Sequence, residues 1–203
     1  MTFLPNKYLL LNSVWVALFC LFSCKQEAPK AKVSLNTFSM KVNGELWTPF
    51  QDKDNPCRST YSGSYATATM RSGEIIPFYT VYAYRDPQGR VGVDSENLLR
   101  MRVMNVTKPG TYLLDGTYKE DFDSYLIFVT QKPKYGRYVN DPARSPFVIN
   151  VQDIIPIKGS ISTGIRGTFA GILYKEGDPS DSLLIAKGTF VFNIVNFGDH
   201  CGY

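Results

Sequence analysis

The chain of 203 residues is 44% apolar and 20% charged, proportions that are ordinary for a globular protein. Its formal net charge is only +4 and its basic residues are scattered, which argues against a nucleic-acid-binding protein with a clustered basic face. The aromatic share of 14%, with 13 Tyr and 13 Phe, favours β structure, because these side chains suit a half-buried pleated surface.

The first 23 residues have the order of a secretory signal peptide. Lys7 supplies a positive charge, an apolar run of about 15 residues follows, and the small Ser23 stands before Cys24. The run is shorter than the roughly 20 residues that a membrane-spanning helix needs. The sequence therefore predicts a signal peptide over 1–23 and a lipidated Cys24, as in a bacterial lipoprotein. The alternatives are an uncleaved anchor and a signal cleaved without lipidation.

Residues 24–36 are polar and lack periodicity, which predicts a flexible tether. Two or three acyl chains such as palmitate on Cys24 would hold the protein firmly in a membrane, since each buried methylene contributes about 0.8 kcal/mol. We therefore expect an outer-membrane lipoprotein of the cell envelope, facing either the periplasm or the cell surface.

The cysteines that remain after processing form an even pair. Cys20 leaves with the signal peptide and Cys24 carries the lipid, so Cys57 and Cys201 remain in an oxidising compartment. A disulfide between Cys57 and Cys201 is expected, with two free thiols as the alternative.

Residues 37–203 form a single predicted β domain, because no window combines helical periodicity with caps. Alternating or β-branched and aromatic runs predict strands over 38–42, 45–47, 58–71, 75–84, 98–106, 111–114, 124–131, 147–151, 154–157, 164–174 and 182–195.

Turn residues divide these strands. Asn43-Gly44 predicts a type I′ hairpin turn, and Pro77 indicates a strand edge or a bulge. Residues 132–145 are predicted as a loop and residues 176–181 as a hairpin turn. The spacing favours an all-β, antiparallel, jelly-roll-like β-sandwich, with a lipocalin-like β-barrel as the alternative.

A Gly-Thr-aromatic triplet recurs at residues 110–112, 116–118, 167–169 and 188–190 without a constant period. We interpret it as a marker of strand starts, in which Gly permits a bend while Thr and the aromatic residue pair across strands.

Three blocks of the sequence are distinctive: the opening Phe38–Trp47, with its Val-Asn-Gly-x-x-Trp pattern, the triplet at 110–112 and the hairpin with two Gly-Thr-Phe triplets. These blocks resemble a group of small Bacteroidota lipoproteins of unknown function. The resemblance implies an all-β, membrane-tethered domain and carries no established activity or site. Asp181-Ser182-Leu183 also resembles the short O-glycosylation motif of this bacterial group.

No catalytic set stands out. His200 is the only histidine, and it lies at the C-terminus without a recognisable partner motif. Glu120, Asp121 and Asp123 could supply oxygen ligands for Ca²⁺, but the Gly and the downstream Glu of an EF-hand are missing. The sequence therefore predicts no catalytic residues, no metal site and no cofactor.

Two aromatic segments are the candidate ligand-binding sites. In the first, Tyr82 and Tyr84 share one strand face, while Tyr79 points the other way. The second is a tyrosine pair around an arginine in a predicted loop, where function is often found. The candidate residues are Tyr79, Tyr82, Tyr84, Tyr135, Arg137 and Tyr138.

These features favour a non-enzymatic binding or scaffolding module of the cell envelope. Its expected partners are the membrane, through the lipid, and a glycan or an envelope protein. The alternatives are a lipocalin-like carrier of an apolar ligand, which needs an interior cavity, and an enzyme acting on polysaccharide, which needs two convergent carboxylates.

Overall fold

A computed structural model of the chain describes residues 36–54, 60–86, 98–130, 135–156, 161 and 163–193. The described residues form eleven β-strands, and every pairing between them is antiparallel. The strands are β1 Thr37–Val42, β2 Glu45–Trp47, β3 Tyr61–Thr69, β4 Ile75–Tyr84, β5 Leu98–Met104, β6 Gly110–Leu113, β7 Tyr125–Thr130, β8 Gly136–Asn140, β9 Val148–Pro156, β10 Thr163–Lys175 and β11 Asp178–Phe192.

Several predictions concern residues outside these ranges. The signal peptide, all of the tether except Asn36, the lipidation site Cys24, the cysteine pair Cys57 and Cys201, and His200 all lie outside the described residues. Within the described ranges, no helix is long and apolar enough to cross a membrane.

The long strand β10 organises the sheet. Its residues Thr163–Ala170 pair with β9, whereas Leu173–Lys175 pair with β8. One layer is therefore β2-β1-β11-β10-β9-β6, here called the first layer, and the second layer is β8-β7-β5-β4-β3. The all-β antiparallel prediction is confirmed, and the arrangement is that of a β-sandwich.

The described strands do not close into a barrel. The path of paired strands ends at β2 on one side and at β3 on the other, and the branch through β9 ends at β6. The lipocalin-like barrel is therefore wrong. The physical reason is that one part of β10 pairs with β9 and the other part with β8. The sheet therefore folds into two layers at β10, and the edge strands β2, β3 and β6 do not pair with one another.

Aromatic rings fill the space between the layers. Phe38 of β1 lies 5.3 Å from the ring of Tyr61 on β3, and Tyr61 stacks on Phe192 of β11 at 4.6 Å. Trp47 of β2 meets Phe128 of β7 edge-on at 5.5 Å. Burying each such side chain contributes roughly 1.5–3 kcal/mol, so these contacts between layers hold the sandwich together.

The Gly-Thr-Phe triplets of β10 and β11 pair with each other. Gly167 is opposite Phe190, Thr168 is opposite Thr189, and Phe169 is opposite Gly188. Each glycine thus leaves room for the ring on the facing strand. Both triplets lie in mid-strand, so their interpretation as strand starts is wrong, although the predicted pairing across strands is confirmed. The triplet at 110–112 does begin a strand, β6.

The predicted hairpin turn at Asn43-Gly44 is confirmed in detail. Asn43 and Gly44 have φ values of 49° and 90°, as a type I′ hairpin requires. Pro77 lies opposite Thr67, and its carbonyl oxygen accepts a hydrogen bond from the Asn105 N–H at 2.7 Å, just beyond β5. Pro77 thus pairs with β3 without a register shift, so the β3–β4 pairing has no bulge, and it lies beyond the last β5 residue, Met104, where β4 is locally an edge.

Three predicted boundaries are wrong. The predicted loop at 132–145 contains β8, whose alternation is hidden by its Gly, Arg and Asn residues. The predicted strands 147–151 and 154–157 are one strand, β9, with a register shift in its pairing to β10. The β10–β11 turn is only Glu176-Gly177, because Gly177 supplies the positive φ of 82°.

Candidate binding face on the second layer

Alternate residues of β4, β5 and β7 point away from the core of the sandwich. Leu99, Met101 and Val103 are buried between the layers, so Arg100 and Arg102 project from the outer face. Arg100 is opposite Tyr82 of β4, and Arg102 is opposite Tyr125 of β7. A second, smaller apolar cluster lies on this face: Tyr84, Leu98, Tyr125, Ile127 and Val129, with Tyr82, Tyr118 and Val139 packed against it.

Two guanidinium groups alternate with three aromatic rings on this face. The Cζ atom of Arg100 lies 5.4 Å from the ring centroids of both Tyr82 and Tyr125. The Cζ atom of Arg102 lies 5.2 Å from the Tyr125 ring and 5.5 Å from the Phe78 ring. We call these five side chains the arginine ladder. Each contact is within cation–π range.

Tyr125 is at the centre of the ladder. Only 1% of its surface is exposed, and burial raises the pKa of its hydroxyl, an effect that the neighbouring Arg100 and Arg102 partly oppose. Tyr125 is therefore neutral at physiological pH and presents a ring rather than a counter-charge to the arginines.

The two arginines are not neutralised by carboxylates in the described part of the chain. None of the ion pairs there includes Arg100 or Arg102. Arg102 donates from Nη1 to the carbonyl oxygen of Asp121 at 2.5 Å, and the Nε atoms of both arginines are buried without a hydrogen-bond partner. Two positive charges with remaining donor capacity thus lie side by side on the face.

The same face continues into a cleft. Tyr82, Arg100, Ile127 and Val139 form one in-register row across β4, β5, β7 and β8. Val139 lines a cleft of about 310 Å³ between the β10–β11 turn and the loop that follows β6. Neighbouring strands are about 4.8 Å apart, so Val139 lies roughly 10 Å from Arg100 along this row.

The carboxylate of Glu176 lies among the charged groups of this cleft, which we call the Glu176 cleft. Its Oε1 accepts from the Tyr118 hydroxyl at 2.7 Å and pairs with Lys119 at 3.2 Å, while Oε2 pairs with Arg137 at 3.2 Å. These partners, Tyr118 first among them, lower the pKa of the Glu176 carboxyl. Glu176 is therefore an ionised carboxylate held by hydrogen bonds and ion pairs, and not a proton donor.

A second polar group lies beside the cleft. Tyr138 donates to Oδ1 of Asp181 at 3.2 Å, and Lys175 pairs with Oδ2 of Asp181 at 2.9 Å. Burial, and then the contact with Asp181, raises the pKa of the Tyr138 hydroxyl. The bond to Asp181 likewise raises the pKa of Lys175.

The predicted binding residues are divided among different surroundings. Tyr82 and Arg137 are partly exposed on the outer face, and Tyr135 is half-exposed just before β8. Tyr84 is buried in the cluster on that face, as the predicted sharing of a face with Tyr82 requires. Arg137 lies on a strand and not in the predicted loop.

Tyr79 and Tyr138 face the core. Tyr79 is 2% exposed and its hydroxyl is hydrogen-bonded to Thr163 of β10, while Tyr138 packs on the main core with its hydroxyl on Asp181. Sequence reasoning did not select the ladder and cleft residues Phe78, Arg100, Arg102, Tyr118, Tyr125 and Glu176. The Arg-x-Arg alternation within β5 was the available signal.

Metal ligands are not gathered on the described surface. No group of three or more His, Cys, Asp or Glu side chains in the described ranges could hold a metal ion. In the acidic loop, Asp123 accepts from the Thr117 backbone N–H at 2.8 Å, so its carboxylate closes a turn.

Comparison with known proteins identifies a family to which the chain belongs. The family model described as Domain of unknown function (DUF5025) matches residues 35–193, which include all of the described strands. No curated protein matches the chain. No solved structure matches it either. The chain therefore belongs to the DUF5025 family of domains of unknown function.

Proposed function

We propose that the chain is a lipid-anchored binding module of the cell envelope, and that its arginine ladder holds an acidic polysaccharide. The anchor is supported by the order of charge, apolar run, Ser23 and Cys24 at the N-terminus. A family described only as a domain of unknown function is compatible with this proposal.

The observation that carries the binding function is the pair Arg100 and Arg102, which lie between aromatic rings and have no paired carboxylate within the described ranges. A planar guanidinium binds a carboxylate or sulfate through two parallel hydrogen bonds. The partly exposed rings of Tyr82 and Phe78 offer apolar faces beside those charges. Sugars that carry acidic groups present both kinds of surface.

The row from Arg100 to the Glu176 cleft favours a linear polymer over a small molecule. Tyr118 and Arg137 lie at the cleft end, and Tyr82 lies at the ladder end. The distance between the two ends exceeds the length of a single sugar ring, so successive units of one chain could occupy both.

The alternative functions have less support. A lipocalin-like carrier needs a closed barrel with an interior cavity, whereas this sheet is open and aromatic rings fill the space between its layers. An enzyme acting on polysaccharide needs a carboxyl group that can donate a proton, whereas the partners of Glu176 lower its pKa.

The test is binding of defined polymers to the purified full chain. We expect polygalacturonate and dextran sulfate to bind and neutral dextran not to bind, as measured by isothermal titration calorimetry. The double change Arg100→Gln and Arg102→Gln should weaken binding at least tenfold. Arg166→Gln is the matched control, since Arg166 lies on the first layer in an exposed ion pair with Asp153.

Two results would contradict this function: equal affinity of the double variant and the unchanged chain, or no binding of any acidic polymer.

The lipid anchor has its own test, which is mass spectrometry of the N-terminus of the protein isolated from membranes. A diacylated or triacylated Cys24 is expected, and an intact leader would contradict the anchor.

A further inference from the structure

A cavity of about 430 Å³ lies beside the start of β1. Its volume is within the range of roughly 300–1,000 Å³ that small-molecule sites occupy. One wall is formed by the first residues of β1 with Thr189 of β11, and the other by residues 48–51, which follow β2. We call it the β1 cavity. No side chain of the arginine ladder or of the Glu176 cleft lines it.

The pairing of β1 determines where its backbone groups point. Asn43, which follows β1, donates its N–H to the carbonyl oxygen of Leu184 on β11 at 2.9 Å. Backbone groups alternate between the two sides of a strand, so the odd-numbered residues of β1 face β11 and the even-numbered residues face β2. Met40 is accordingly opposite Trp47 of β2. The register shift between β1 and β11 adds a residue on β11 alone, so the alternation continues to Phe38.

Pro49 prevents Phe38 from continuing this ladder. β2 ends at Trp47, and its register would place Phe38 opposite Pro49, which has no N–H to donate. Among the described residues, none forms a hydrogen bond with the Phe38 backbone on this side. Since Phe38 lines the β1 cavity, its N–H and C=O are a donor and an acceptor that a bound molecule can use.

The side chains around these backbone groups are uncharged. Asn36, Gln51 and four Ser or Thr residues supply amide and hydroxyl groups, and Phe50 and Tyr61 supply aromatic surface. No Asp, Glu, Lys or Arg is among the described residues that line the cavity. A charged ligand would lose hydration there without gaining an opposite charge. The lining therefore favours a neutral ligand that has both polar groups and an apolar face.

The wall opposite β1 is fixed by hydrogen bonds to other parts of the fold. The Phe50 N–H donates to the carbonyl oxygen of Tyr84 at 2.9 Å, and the Phe50 carbonyl oxygen accepts from the Thr60 N–H at 3.0 Å. A wall that is already ordered lowers the entropic cost of binding. Residues 48–51 also occupy the path that an added strand would follow beside β1. An extended peptide therefore has no room to continue past Phe38, which favours a compact ligand.

We propose that the β1 cavity binds an N-acetylated hexosamine unit of a glycan. The carbonyl oxygen of the acetamido group accepts from the Phe38 N–H, and the hydroxyl on the next ring carbon donates to the Phe38 carbonyl oxygen. The acetamido methyl group packs on the aromatic surface, and the polar side chains bind the other sugar hydroxyls. A hexose without this group lacks both the carbonyl acceptor and the methyl group. The site requires neither Arg100 nor Arg102 and is independent of the acidic polymer.

The first test is an NMR titration of the ¹⁵N-labelled full chain. The probes are the methyl β-glycosides of N-acetylglucosamine and N-acetylgalactosamine, with those of glucose and galactose as controls that lack the acetamido group. We expect at least one acetamido sugar to shift the Phe38 amide resonance and to slow its hydrogen exchange at least tenfold, and the controls to do neither. N-acetylalanine N-methylamide tests a peptide ligand in the same way. Equal responses to the control sugars, a response to the peptide amide alone, or no response to either acetamido sugar overturns the proposal.

The second test fills the cavity from its two walls. Thr48→Trp and Thr189→Trp each place a large ring there, and both positions are exposed, so the thermal unfolding midpoint should not move. Each should lower the affinity for the acetamido sugar at least tenfold. Thr111→Trp, at an exposed position of β6 outside the cavity, is the matched control and should bind normally.

The double change Arg100→Gln and Arg102→Gln separates this site from the arginine ladder. It should leave the affinity for the acetamido sugar unchanged while weakening the binding of acidic polymers. Full affinity in both cavity variants, an equal loss in Thr111→Trp, or a loss in the arginine double variant would show that the sugar binds elsewhere and would overturn the assignment.

Discussion

The hydroxyl of Tyr118 donates a hydrogen bond of 2.7 Å to Oε1 of Glu176, across 58 positions of sequence. This bond ties the loop after β6 to the turn between β10 and β11. Lys119 and Arg137 both lie within cation–π distance of the Tyr118 ring, so the ring and the carboxylate share the same two cations. The Glu176 cleft is thus held by one connected polar cluster.

Tyr118→Phe should raise the pKa of Glu176 towards its ordinary value, because the Tyr118 hydrogen bond is the largest cause of its lowering. A lowered pKa in the folded state stabilises the fold above the unfolded-state pKa, and this stabilisation is lost as the pH falls through the folded-state pKa. The variant should therefore lose less stability than the unchanged chain on acidification through that range. Carboxyl-detected NMR titration measures the pKa, Tyr135→Phe is the exposed control, and an unchanged pKa would contradict the prediction.

Asn140→Ala should destabilise the fold by about 2–4 kcal/mol, because three buried backbone groups would lose their partner. The buried amide accepts from the Leu126 N–H at 2.8 Å and donates to the carbonyl oxygens of Leu114 at 3.1 Å and Gly116 at 2.9 Å. Urea unfolding measures the loss. Asn150→Ala, at an exposed position of β9, is the control and should cost less than about 0.5 kcal/mol; equal costs would contradict the role of Asn140.

Two buried tyrosines should respond oppositely to loss of the hydroxyl. Tyr61 is 3% exposed, its hydroxyl has no hydrogen-bond partner in the described part of the chain, and burial raises its pKa well above the ordinary range. Tyr61→Phe should therefore be neutral or stabilise the fold by up to about 1 kcal/mol. Tyr79→Phe should destabilise it by about 1 kcal/mol, because its bond to Thr163 is lost. Thermal unfolding of the two variants measures the difference in stability. Equal shifts of the unfolding midpoint in the same direction would contradict the prediction.

Local sequence patterns predicted most strands because their chemistry is local. The alternation in β1, β4 and β5 and the Asn43-Gly44 turn each depend on a few adjacent residues. β8 was missed because five residues with Gly, Arg and Asn carry too little apolar signal, and its pairing with β10 is a long-range property.

The candidate site was predicted only in part, for a related physical reason. Alternation placed Tyr82 and Tyr84 on one face, and it also placed Arg100 on the side away from the core. It could not show that β7 brings Tyr125 beside both arginines, or that Glu176 lies beside Tyr118, because strand order decides these contacts. The closed barrel was an alternative for the same reason, since closure depends on which edges meet.

Gly188→Ala should destabilise the fold by about 1–3 kcal/mol, because an added Cβ would lie 2.6 Å from the Phe169 ring. Phe169 is 3% exposed and cannot move without disturbing the core. Thr189→Ala, one position further along the same strand and exposed, is the control. Urea unfolding should show a clear loss for the glycine variant and a small one for the control. A loss below about 0.5 kcal/mol for Gly188→Ala would show that the paired triplets tolerate side chains.

Arg100→Lys separates the charge of the arginine ladder from its geometry. Lysine keeps the positive charge but lacks the planar group that lies over Tyr82 and Tyr125 and can bind a carboxylate through two bonds. Under the proposed function, affinity for polygalacturonate should fall by about threefold to tenfold, as expected for loss of roughly 1 kcal/mol of oriented contact.

Calorimetry at two salt concentrations separates the contribution of charge from that of geometry. Arg100→Lys should keep the salt dependence of the unchanged chain, because its charge is the same, whereas Arg100→Gln should weaken that dependence. Full affinity in Arg100→Lys would mean that the ladder acts through charge alone and that its rings take no part in binding.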